Sequence, residues 1–101
     1  MRCITITYQY DGDESLWRAA IDGFITALND DSAIADKFNY QVSVADDGKT
    51  RIHWGHWDSA ETLAHVQSRD YFKSFAGSVK EFSGGGPTAT GANVVTRTSS
   101  W

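Results

Sequence analysis

The chain has 101 residues, 41% of them hydrophobic and 13% aromatic, with four tryptophans and a formal net charge of −4. A chain of this size builds one core with little to spare, and its acidic balance excludes the basic stripe of an ordinary nucleic-acid binder. No apolar run reaches the ~18 residues that cross a membrane, so neither nucleic acid nor membrane is expected as a partner.

The first predicted strand runs from Cys3 to Tyr10. Ile4, Ile6, Tyr8 and Tyr10 alternate with Cys3, Thr5, Thr7 and Gln9, the period-two pattern of a half-buried strand. The N-terminus enters this pattern directly, without a signal peptide's apolar block. The single cysteine can form no internal disulfide, and both features lead us to expect a cytoplasmic protein. A helix is predicted from about Ser15 to Leu28, with Trp17, Ala20, Ile21, Phe24 and Leu28 on one stripe. Asp13 and Glu14 stand at its start, where the helix dipole favours negative charge.

Two alternating strands, Phe38 to Val44 and Thr50 to Trp57, flank Asp46-Asp47-Gly48. A three-residue turn with Gly48 at positive φ predicts a hairpin. Pairing Val44 with Thr50, Val42 with Ile52, Tyr40 with Trp54 and Phe38 with His56 sorts it into an apolar face and a polar face carrying Gln41, Ser43, Arg51 and His53. A second helix follows. Asp58 is the expected N-cap, with Glu61 at the capping-box spacing. Its stripe shifts between Leu63, Val66 and Phe72, Phe75, Val79, Phe82, which predicts a break near Ser68-Arg69-Asp70. Gly84-Gly85-Gly86-Pro87 ends it, and Gly91 to Ser99 is the expected last strand.

The order strand, helix, hairpin, helix, strand predicts a single α+β domain over residues 1–101. It is a ferredoxin-like βαββαβ fold, a four-stranded antiparallel sheet with two helices on one face. The segment from Trp57-Asp58-Ser59 through His65 and Ser68 to Phe72 and Phe75 resembles the antibiotic biosynthesis monooxygenase-like proteins of the dimeric α/β-barrel superfamily. The resemblance covers almost the whole chain in order and length. It implies a homodimer whose sheets face each other, and a small pocket between each sheet and its helices. The superfamily's haem-degrading branch uses an Asn on the first strand and a Trp and a His on the second helix. Here Thr7 and Tyr8, His65 and Ala76 stand in those regions, so haem degradation is not implied.

Among the histidines, His53 and His56 are three apart on a strand and point to opposite faces, so they cannot chelate one metal ion. No metal or other cofactor is expected. His65 and His56 are the candidate catalytic residues, because an imidazole moves protons near neutral pH. His65 is expected at a pocket bounded by Tyr8, Tyr40, Trp54 and Phe72, although local packing against Ser68 would also account for it. Tyr8, Tyr40, Trp54, Phe72 and Phe75 are the candidate substrate-binding residues for a flat apolar molecule, and a small core needs most such rings as filler anyway. Two functions stay open. One is a cofactor-free monooxygenase-like enzyme acting on a small apolar or aromatic substrate. The other is a non-enzymatic small-ligand-binding or stress-responsive dimer.

Overall fold

Strand β1 (Arg2–Gln9) lies at the centre of the sheet because its aliphatic and aromatic residues need cover on one side. It is flanked by β3 (Thr50–Trp57) and β4 (Thr88–Asn93), and β2 (Phe38–Val44) completes the order β2-β3-β1-β4 with every pairing antiparallel. In this computed structural model, which describes residues 1–99, helices α1 (Glu14–Asp30), α2 (Ala60–Ser68) and α3 (Asp70–Phe82) cover one face. This is the ferredoxin-like α+β arrangement expected from the sequence.

Local chemistry sets the element ends. Asp13 caps α1 by accepting from the Leu16 amide at 3.1 Å. Helix α2 is capped by Ser59, one residue beyond the expected Asp58; the Asp58 carboxylate instead accepts from the Thr62 hydroxyl. The expected break falls at Arg69, whose φ of −83° and ψ of 146° leave the helical region and rotate the apolar stripe between α2 and α3. Gly84 and Gly85, with φ of 75° and 125°, let the chain turn back after α3, and the Gly85 amide reaches the Lys80 carbonyl at 2.9 Å. Strand β4 begins at Thr88 and ends at Asn93, opposite Arg2 at the start of β1, rather than running from Gly91 to Ser99. The Val94 amide bonds the Met1 carbonyl at 3.0 Å, and residues 94–98 pass along a cavity on the open sheet face.

The hairpin differs from expectation in one consequential way. The Ala45 amide bonds the Thr50 carbonyl at 2.8 Å, so the turn holds four residues rather than three. Asp47 organises it by accepting from the amides of Lys49 and Thr50 and from the Thr50 hydroxyl. These bonds hold the Asp47 carboxyl down to about 2. One added residue shifts the register: Val42 pairs with His53, Tyr40 with Gly55 and Phe38 with Trp57. Every β3 side chain is thereby on the face opposite to the expected one. Arg51, His53 and Trp57 lie under the helices, and Ile52, Trp54 and His56 lie on the open face.

Gly55 shows why this register fits. A Cβ there would meet the Tyr40 ring at 2.8 Å, so glycine lets that ring lie across β3. The core under the helices joins Tyr8 to Trp17, Ile21, Phe24 and Leu28 of α1, Val66 of α2, and Phe75 and Val79 of α3. Phe24 and Phe75 stack with centroids 3.8 Å apart, tying α1 to α3.

Candidate functional site

Four side chains, one each from β1, α1, β2 and β3, form a hydrogen-bonded chain through the core. Trp17 Nε1 donates to Tyr8 Oη at 2.9 Å, Tyr8 Oη meets His53 Nε2 at 2.9 Å, and Tyr40 Oη meets His53 Nδ1 at 2.8 Å. His53 is 0% exposed. Burial alone holds its imidazole down to about 4, so it is neutral near pH 7. Burial likewise pushes the Tyr8 hydroxyl above the ordinary tyrosine range, and Tyr40 much further, with Tyr8 adding to the latter effect.

Proton accounting assigns the direction of the chain. Tyr8 is the less exposed of the two tyrosines, so the tautomer that leaves no orphaned proton in the core is the one in which Tyr8 donates to Nε2 of His53. Nδ1 then carries the imidazole proton and donates to Tyr40, whose hydroxyl proton has no acceptor among the described residues. Tyr40 is therefore the terminus with a proton to offer.

Beside this terminus lies a cavity of about 200 Å³ between the sheet and the α2–α3 pair. Ile4 and Ile6 form its floor; Phe24, Phe38, Tyr40, Trp57, Phe72 and Phe75 supply its rings. Of the four hydrogen-bonded residues, only Tyr40 lines it. The cavity has room for a flat apolar molecule, and Tyr40 is one of the few polar side chains along its wall. Among the described residues no group of three or more His, Cys, Asp or Glu side chains is placed to hold a metal ion.

The structure brings three of the expected site residues together at this cavity: Tyr40, Phe72 and Phe75. Tyr8 sits behind it, linked through His53. Trp54 is 42% exposed on the opposite sheet face, where the one-residue change of register put it. His56 shares that face and is buried there beside Met1, its Nδ1 3.2 Å from the Met1 sulfur. His65 turns away from the cavity as well. Its Nε2 lies 2.9 Å from Asp31 Oδ2, an oxygen that also accepts from Tyr71 at 2.9 Å. These bonds hold the Asp31 carboxyl below its ordinary value, His65 first, while burial and Asp31 push the Tyr71 hydroxyl up to about 12. Asp31 also bonds the Ala33 amide, so the cluster fastens the end of α1 to α2 and α3.

Phe24, which lines the cavity, and His53, which holds Tyr40, are not among the expected substrate-binding or catalytic residues. Gly55 was the available signal. A glycine inside a strand marks the close approach of another group, and pairing it with Tyr40 would have turned His53 inward.

No family model matches the sequence, and no curated protein matches it. Solved structures do match its fold. Rv0793 from Mycobacterium tuberculosis superposes with a TM-score of 0.78 over 97% of this chain and 98% of that chain, at 16% sequence identity. A structure described as an antibiotic biosynthesis monooxygenase gives a TM-score of 0.75 over 95% of this chain and all (100%) of that one, at 8% identity. The fold is that of the antibiotic biosynthesis monooxygenase-like structures. SnoaB from Streptomyces nogalater, described as a cofactor-independent oxygenase and solved in a mutant form, gives a TM-score of 0.76 at 7% identity, covering 95% and 94% of the two chains. Identities this low establish a shared architecture, and chemistry has to be argued from the residues. No helix among the described residues is long and apolar enough to cross a membrane.

Proposed function

We propose that the cavity under α2 and α3 is the functional site, and that it takes a small, flat, apolar or aromatic molecule for cofactor-free, monooxygenase-like chemistry. The observation that carries this is an apolar cavity whose wall includes Tyr40, the end of a buried hydrogen-bonded chain. In such a reaction the phenol or hydroquinone releases its proton to solvent, the phenolate forms a carbon–oxygen bond with dioxygen as the oxidant, and the resulting ring hydroperoxide, once protonated, loses water to leave a quinone. Tyr40 hydrogen-bonds the ring oxygen in that arrangement, with His53 and Tyr8 holding it in place. Likeness of fold to a protein described as a cofactor-independent oxygenase supports the reading.

A specific observation favours the second reading, a binding protein without catalysis. No histidine lines the cavity, and His53, with a pKa of about 4 and both nitrogens engaged, is a weak base. One experiment separates the two. Phenols and hydroquinones are screened by thermal shift, since a ligand of the native state raises the midpoint, and the hits are followed in an oxygen electrode. Enzymatic function predicts a raised midpoint together with oxygen uptake that Tyr40→Phe reduces. A raised midpoint without uptake leaves a binding protein. No shift with any of these compounds contradicts the cavity assignment.

We further propose that the open sheet face pairs with a second copy of this chain. Trp54 and Ile52 lie there opposite Thr5 and Thr7 of β1, an apolar centre among hydroxyl groups that can meet its own image across a two-fold axis. Analytical ultracentrifugation is expected to give twice the 11.1 kDa chain mass, and Trp54→Lys to give the single-chain mass with the fold intact. A wild-type protein that sediments as one chain at high micromolar concentration contradicts the pairing.

A further inference from the structure

The cavity's mouth departs from its apolar interior. On α3, Phe75 and Val79 form the buried row facing the core, while Phe72, Ala76 and Lys80, four residues apart, form the outer row along the opening. Ala76 is the small member of that row and leaves a gap, with Lys80 next to it toward the C-terminal end. Across the opening stands Gln67, at the end of α2. Lys80 and Gln67 are both exposed, and they join Tyr40 as the polar side chains of a lining otherwise made of carbon-rich groups.

We infer that the ligand is an aromatic anion, with its ring inside the cavity and a carboxylate at the mouth against Lys80, where Gln67 adds an amide N–H. This rests on the cavity being the ligand site, and it names the class of molecule that site prefers. The chemistry follows from position. An ammonium group at the rim of an apolar hollow attracts an anion without being desolvated itself, so charge at the mouth selects among molecules that fill the interior equally well. The chain's net charge of −4 works against anions elsewhere on its surface, which makes a local cation the discriminating element.

The test uses three naphthalenes of similar size: 2-naphthoate, 2-naphthol and 2-naphthylmethylammonium, titrated calorimetrically into the wild type, Lys80→Gln and Lys80→Glu. The wild type is expected to bind naphthoate about fivefold tighter than naphthol, the upper end of what a solvent-open ion pair supplies. Lys80→Gln should remove that preference while leaving naphthol affinity unchanged, and Lys80→Glu should place the ammonium compound first. If Lys80→Glu leaves the order of the three ligands as in the wild type, Lys80 serves only the C-terminal end of its helix and the inference is overturned. Naphthol reports the cavity alone, so its failure to bind the wild type would overturn the cavity assignment and this inference with it.

Discussion

Replacing His53 with alanine is expected to lower the unfolding free energy by about 3–4 kcal/mol, a large share of what a domain of this size possesses. The substitution opens a void at a position with 0% exposure and leaves the hydroxyls of Tyr8 and Tyr40 without the imidazole that joins them. The same residue gives a pH signature. Its folded pKa is about 4 against an ordinary 6.5, so between those values the unfolded chain binds a proton that the folded chain refuses. The stability from keeping His53 neutral is complete above pH 6.5 and is lost as the pH falls toward 4. A gap of about 2.5 pH units at about 1.4 kcal/mol each makes the full loss, reached below pH 4, about 3.5 kcal/mol. His56, also held low by burial and then by Arg97, adds a component of the same sign. Urea midpoints measured from pH 7 to pH 4 should therefore fall steeply for the wild type and less steeply for His53→Gln. Equal slopes would mean that His53 titrates normally and is not sealed in the core.

Arg51→Ala is the second large effect, expected at about 2–3 kcal/mol and read as a shift in the same urea midpoint. Arg51 is 1% exposed although it carries a permanent charge. Its guanidinium lies 4.3 Å from the Trp17 ring and forks onto Glu14 with two bonds of 2.8 Å. It also donates to the carbonyls of Tyr10 and Lys49 at 2.9 and 3.3 Å. One side chain thus fastens the hairpin turn to the end of β1 and the start of α1. Because Glu14 is largely exposed, the loss comes from the guanidinium's packing and its carbonyl partners rather than from an abandoned buried charge. Arg51→Lys should recover only part of it, since an ammonium cannot fork or stack in the same way. A midpoint for Arg51→Ala equal to that of the wild type would mean that the guanidinium does not hold these elements together.

These two residues also explain what the sequence did not reveal. The first three strands, the stripe of α1 and the break at Arg69 follow from periodicity and capping and lie where those rules put them, whereas β4 occupies Thr88–Asn93 instead of the expected Gly91 to Ser99. The hairpin's face does not follow. Arg51 and His53 are polar, and a polarity pattern sends them to solvent, while Ile52 and Trp54 are sent to the core. Their partners are remote in sequence: Glu14 for Arg51, Tyr8 for His53. A buried polar network is invisible to alternation because its members look like surface residues until the partners are known. The candidate site was legible to the same degree. Tyr40, Phe72 and Phe75 sit on elements whose faces were assigned correctly and arrive at the cavity; Trp54 followed β3 to the other face. His65 was drawn out by Asp31 and Tyr71, a contact across separate elements that no local pattern announces.

A ligand site between Tyr40 and the outer row of α3 is what both proposed functions require. Calorimetric titration of 2-naphthol into the wild type and into Ala76→Phe tests it most directly, because a phenyl group at the exposed lip fills the opening without touching the core. Saturable, one-to-one binding to the wild type is expected, together with its loss in an Ala76→Phe variant that unfolds at the same urea concentration. Equal affinity for the two proteins would contradict it.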